Sequence, residues 1–207
     1  MNIIKKYYVR AAFVAMSATS VAGFAACGGF NLVSLDEEVQ LGQQLDQEIR
    51  NNPAQYPILN NAAATSYLQN MANTILQSDE IKYRGKFPYT VTIIRDDKTV
   101  NAFATPGGYI YVYTGLIKML DNEASMAGVM GHEIAHSEER HGTEAMSKQY
   151  GAQMLLGILL GNNPGQLTQI AGNLVTGLAV LKNGRDAETE ADELSFRYLQ
   201  DTPWYPG

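Results

Sequence analysis

Cysteine occurs once in the 207 residues, so no disulfide can close within the chain. Histidine occurs three times, as His132, His136 and His141, all inside ten residues. Basic residues are outnumbered, 15 Lys and Arg against 21 Asp and Glu, so the electrostatic footprint of a nucleic-acid binder is missing. Long apolar runs are missing beyond the N-terminus. Met154 to Leu160 falls far short of the about 20 residues that cross a bilayer. Leu167 to Leu181 is also short and carries Gln169 and Asn173. Both pieces read as core or interface helices, with a membrane-leaning hairpin as the other reading. No repeat or low-complexity segment stands out. An apolar content of 45% with 17% charged residues suits one globular domain with a sizeable core.

The N-terminus accounts for the lone cysteine. Lys5, Lys6 and Arg10 precede an apolar, small-residue run from Ala11 to Ala26 that ends in Phe24-Ala25-Ala26-Cys27. This is the layout of a secretory signal rather than of a fold element. The run before Cys27 resembles a bacterial lipobox, with Phe24 where Leu is usual. Residues 1–26 are therefore expected as a lipoprotein-type signal peptide, Cys27 as the lipidated N-terminus and residues 27–34 as a tether; ordinary signal-peptidase cleavage nearby or an uncleaved anchor are the other readings. Residues 27–207 then form one domain facing the periplasm from the inner or the outer membrane. Cleavage removes three positive charges and no negative one, taking the formal charge from −6 to −9. Charge alone would not hold such a chain on anionic lipid.

The histidines give the chain its chemistry. Gly131-His132-Glu133-Ile134-Ala135-His136 reads H-E-x-x-H. Residues four apart share a helix face, so His132 and His136 can grip one metal ion, and Glu133 beside them can reach a water on it. The competing reading is a helix whose histidines face solvent.

The elements around this motif follow from local patterns. Leu35, Val39, Leu41, Leu45 and Ile49 recur at roughly helical spacing among Glu37, Glu38 and Glu48, with Ser34 or Asp36 as the cap. A second helix is expected from about Ala62 to Gln77, with Tyr67, Leu68, Met71 and Ile75 inward. Tyr89 to Ile94 is β-branched and aromatic and reads as a strand. Asn101–Thr105 and Tyr109–Tyr113 flank Pro106-Gly107-Gly108 and read as a hairpin. Tyr109, Tyr111 and Tyr113 alternate onto one face. That strand is a possible substrate strand, an exposed edge able to pair with an extended peptide; the alternative is a half-buried supporting sheet. Asp121 is the expected cap of the motif helix, with Ala127, Met130 and Ile134 as its core stripe. Gly131 is unfavourable inside a helix, which suggests close approach of the hairpin.

Two histidines do not complete a catalytic zinc site. His141 lies five residues after His136 with no glycine between to break the helix, so it should point away from the pair. Arg185-Asp186-Ala187-Glu188-Thr189-Glu190-Ala191-Asp192 offers a better donor. Glu188 and Asp192 share one helix face and Glu190 points nearly opposite. Glu188 would complete a His₂Glu set, and Asp192 could accept the outer N–H of a ligand histidine. A solvated acidic face is the alternative.

Together these segments resemble the zinc metallopeptidases of the CAAX prenyl protease and HtpX type. The matching features are Asn101-Ala-Phe-Ala-Thr-Pro-Gly-Gly-Tyr-Ile, Gly-His132-Glu-Ile-Ala-His136 with Arg140-His141, and Arg185 with Glu188-x-Glu-Ala-Asp192. The resemblance implies an α+β, zincin-like fold, mostly helical with a small sheet or hairpin beside the motif helix. It implies one Zn²⁺ per chain on His132, His136 and Glu188, Glu133 as general base, and a gluzincin-type endopeptidase. With no membrane spans, the chain is similar to the soluble periplasmic quality-control branch, whose partners are misfolded or unassembled envelope polypeptides. Family members continue past the point where this chain stops, so the residue that would stabilise the oxyanion is unassigned. A zinc-binding envelope chaperone with little proteolysis is the alternative.

Overall fold

The computed structural model describes residues 30–176 and 184–205. The signal segment, the lipobox and Cys27 lie outside the described residues, as does the end of the expected Leu167–Leu181 helix. Among the described residues seven helices and three strands follow in order: α1 (Leu35–Arg50), α2 (Ala62–Ile75), β1 (Thr90–Ile94), β2 (Ala102–Thr105), β3 (Tyr109–Tyr113), α3 (Thr114–Met119), α4 (Glu123–Glu138), α5 (His141–Leu159), α6 (Pro164–Thr176) and α7 (Arg185–Tyr198). The fold is α+β and zincin-like, as the sequence implied.

Local chemistry sets the helix ends. Ser34, not Asp36, caps α1: its hydroxyl accepts from Glu37 N–H while the Glu37 carboxylate accepts from Ser34 N–H, a reciprocal capping box. Asn122, not Asp121, caps α4, its side-chain oxygen accepting from Ser125 N–H at 2.9 Å. In α2, Leu68, Met71, Ala72 and Ile75 are buried as expected from their spacing, whereas Tyr67 is largely exposed. Gly161, with φ 73°, lies between α5 and α6, and Pro164 opens α6. Among the described residues no helix is long and apolar enough to cross a membrane. Residues 31–34 do not hang free as a tether: Asn31 Nδ2 donates to Thr143 Oγ1 and Leu32 N–H to Ser147 Oγ, both on α5.

The three strands run in the order β1-β3-β2. β3 pairs parallel with β1 and antiparallel with β2 through the Pro106-Gly107-Gly108 turn. Both turn glycines have positive φ, a region that costs a side-chain-bearing residue. The alternation along β3 is real, and both faces are buried. Ile110 and Val112 join Val91, Ile93, Leu68, Met71, Met130, Ile134 and Leu194, so α2, α4 and α7 cover one face. Tyr111 and Tyr113 join Leu41, Leu45, Ile49, Leu155 and Ile158, so α1, α5 and α6 cover the other. Tyr111 stacks on Phe103 at 4.8 Å and donates its hydroxyl proton to Asp46. β3 is thus the central strand, paired on both sides. The Tyr109, Tyr111 and Tyr113 backbone has no free edge to offer a peptide. The edge beside α4 belongs to β2.

Gly131 does mark a close approach, but by α7 rather than by the hairpin. A Cβ there would lie 3.3 Å from Ser195 Cβ and 3.4 Å from its Cα. The missing side chain lets α4 and α7 pack backbone to backbone, and this is what positions the site.

Candidate metal centre

α4 delivers its histidines as the i, i+4 spacing requires. His132 Nε2 and His136 Nε2 approach to 2.9 Å. Glu188, near the start of α7, brings its carboxylate oxygens to 3.6 Å from His132 Nε2 and 3.8 Å from His136 Nε2. Zinc bonds of about 2.0–2.1 Å in a tetrahedron set neighbouring donors about 3.3 Å apart. The three observed separations straddle that value. Two imidazole nitrogens and one carboxylate also make a donor set suited to zinc. Among the described residues this is the one cluster of three such groups that converges.

The outer nitrogens are occupied. His132 Nδ1 lies 2.8 Å from Asp192 Oδ1, the pairing that the α7 spacing anticipated. His136 Nδ1 lies 2.9 Å from Nδ1 of His141. The expectation that His141 points away therefore fails, because the helix does break. Arg140 adopts left-handed backbone angles (φ 59°, ψ 30°) between α4 and α5, and the chain folds His141 back against His136. Glu190, expected to face away from the cluster, reaches His141 Nε2 at 3.3 Å.

Arg140 is held in that conformation by α1. Its Nε donates to Glu38 Oε2 at 2.5 Å, and its guanidinium also donates to the Val33 carbonyl. Glu38 was read as part of the polar face of α1; it is almost fully buried. Its carboxylate also accepts from Thr143 Oγ1 at 3.1 Å and from Gly107 N–H. Burial pushes the Glu38 carboxyl up while these partners pull it back. One carboxylate thus ties α1, the β2–β3 turn and the α4–α5 junction together. The periodicity of α1 does place Glu38 on the buried stripe, three residues before Leu41 and seven before Leu45, and only its charge put it among the polar residues. The paired Arg140-His141 of the family pattern offered the matching cation.

Glu133 sits beneath the metal cluster, on the side of β2. It is buried, and Ala104 N–H donates to its carboxylate. Burial above all raises its carboxyl to about 7; the Glu188 charge adds to this, while His132 and the Ala104 N–H act against it. A carboxylate so placed is poised to exchange a proton near neutrality. Burial, aided by His132 and His141, lowers His136 to about 3, so its imidazole is neutral and able to ligate. The site mouth is open: the Asp192 side chain is 75% exposed and that of Glu188 43%.

The family model described as Peptidase family M48 matches residues 62–206. A beta-barrel assembly-enhancing protease of Escherichia coli is 26% identical over 183 residues, covering 84% of this chain and 36% of the relative. The mitochondrial metalloendopeptidase OMA1 of Schizosaccharomyces pombe is 28% identical over 179 residues, covering 86% and 51%. The metalloprotease YcaL of Escherichia coli is 33% identical over 105 residues, covering 49% and 41%. The chain thus spans about a third to a half of the length of these relatives.

Proposed function

The chain belongs to peptidase family M48, and from that premise we propose that it is a zinc-dependent endopeptidase of the gluzincin type acting in the bacterial cell envelope. The observation that carries this reading is the convergence of His132, His136 and Glu188 beside the buried carboxylate of Glu133. His132, His136 and Glu188 would hold one zinc. Bound there, zinc supplies Lewis acidity, polarising a carbonyl and easing deprotonation of water. Asp192 orients His132. Glu133 takes a proton from the attacking water and delivers it to the leaving amine as the C–N bond breaks.

The substrate would lie along β2, not β3. In the antiparallel ladder Tyr113 N–H pairs with the Asn101 carbonyl and Gly108 N–H with that of Thr105. Alternation then turns the backbone groups of Ala102 and Ala104 outward, towards α4 and Glu133. An extended peptide added there would be read through its backbone, which suits a broad range of sequences. Misfolded or unassembled envelope proteins are the substrate class that fits this tolerance. The assembly-enhancing name of the bacterial relatives supports it. The lipobox-like run before Cys27 supports anchoring by lipid at a periplasmic membrane face, with residues 27–207 as a single domain.

Casein digestion by the purified chain, measured with zinc content, tests the proposal. The wild type should cleave, stop on chelation and recover with zinc. Glu133→Gln should keep its zinc and lose about 10²–10⁴-fold in rate. Near-normal turnover in that variant would contradict the role of Glu133.

A further inference from the structure

We propose that His141 is a positioning residue for the metal centre: its Nδ1 accepts the outer N–H of His136, and Glu190 orients His141 in turn. This rests on His136 being a metal ligand. The argument is one of proton bookkeeping. A neutral imidazole carries one N–H and one lone pair. For Nε2 of His136 to offer its lone pair beside His132 Nε2 and Glu188, its proton must sit on Nδ1. The partner 2.9 Å away is His141 Nδ1, which must then be the acceptor. The His141 proton is left on Nε2, which faces Glu190 Oε2 at 3.3 Å. An ionised carboxylate only accepts, so Glu190 selects that tautomer. The opposite arrangement would place a proton on His136 Nε2 and block the ligand atom.

The surroundings are built for this contact. The His141 side chain is 4% exposed, and its ring meets that of His136 edge to face at 5.1 Å. The left-handed Arg140, clamped by Glu38, is what turns the chain back to make the contact. α7 then serves the cluster three times over. Glu188 faces the ligand nitrogens, Asp192 takes the outer N–H of His132, and Glu190 takes the proton of the histidine behind His136. Both ligand histidines are thereby fixed by α7, His132 directly and His136 through His141.

The test measures zinc dissociation constants by chelator competition, together with the imidazole N–H proton signals of the zinc-loaded full chain. Only three histidines contribute to those signals. His141→Leu should weaken zinc about 10–100-fold and abolish the protected Nδ1–H signal of His136. His141→Asn, whose amide oxygen stands near the place of Nδ1, should recover most of both. A folded His141→Leu within twofold of wild-type affinity and with the signal intact overturns the proposal. So does His141→Asn being as weak as His141→Leu, which would mark packing rather than hydrogen bonding. If His141→Leu does not fold, Glu190→Ala, at an exposed side chain and with no acceptor left for His141 Nε2–H, decides. Weaker zinc with a displaced His141 N–H signal supports the relay, and no change in either overturns it. A wild type that binds no zinc would instead defeat the underlying ligand assignment.

Discussion

Glu133 and His136 stand one turn apart on α4, and burial moves them in opposite directions. The Glu133 carboxyl rises from 4.5 to about 7, and the His136 imidazole falls from 6.5 to about 3. In metal-free protein both shifts act on stability. Native Glu133 retains a proton that the unfolded chain releases, so its contribution is full below pH 4.5 and is lost as pH rises through about 7. His136 contributes fully above pH 6.5 and loses its contribution as pH falls towards 3. Glu133→Gln removes only the first. Chelator-treated Glu133→Gln should therefore gain stability over wild type between pH 5 and pH 8. The gain is roughly 3 kcal/mol at most, at about 1.4 kcal/mol per pKa unit. Urea titrations at the two pH values check this; a difference that does not change with pH would contradict it. That His132, His136, Glu188 and Asp192 could converge was legible from spacing because helix faces are periodic. His141 was misjudged because one residue, Arg140, leaves that period.

At the level of elements, the α4–α5 break shows what sequence patterns omit. No glycine marks it, and the left-handed turn exists because Glu38, 102 residues away, receives the Arg140 guanidinium. Cutting Arg140 to Ala leaves a buried carboxylate without its partner, a change that costs about 3–5 kcal/mol. Lys should not restore the loss, since a point-like ammonium cannot serve Glu38 and the Val33 carbonyl in the manner of a planar guanidinium. Urea unfolding of both variants is the check, and a loss under about 1 kcal/mol for Arg140→Ala would contradict the clamp. The strands teach a similar lesson. The hairpin was visible in the Pro-Gly-Gly turn and the alternation of Tyr109 to Tyr113. That β1 pairs with β3 from the far side depends on a long-range contact that no local pattern encodes. The same contact moves the free edge from β3 to β2, and with it the expected peptide track.

Over the whole molecule, the site is an agreement between α4 and α7. His132 and Asp192 meet from 60 residues apart, and Gly131 permits the close packing that brings them together. The sheet, covered on both faces, gives α4 a rigid support, and β2 leaves an edge beside Glu133. The helical content and the zincin-like class were legible because the motif order matched a family. The assignment of helices to the two sheet faces was not, since amphipathic stripes say that a face is buried and not against what. The central claim is that Glu188, carried by α7, completes the zinc site that α4 begins. Metal analysis of purified Glu188→Ala beside wild type tests it most directly. The wild type should hold one zinc per chain and Glu188→Ala little or none while staying folded. Stoichiometric zinc in Glu188→Ala would contradict the claim.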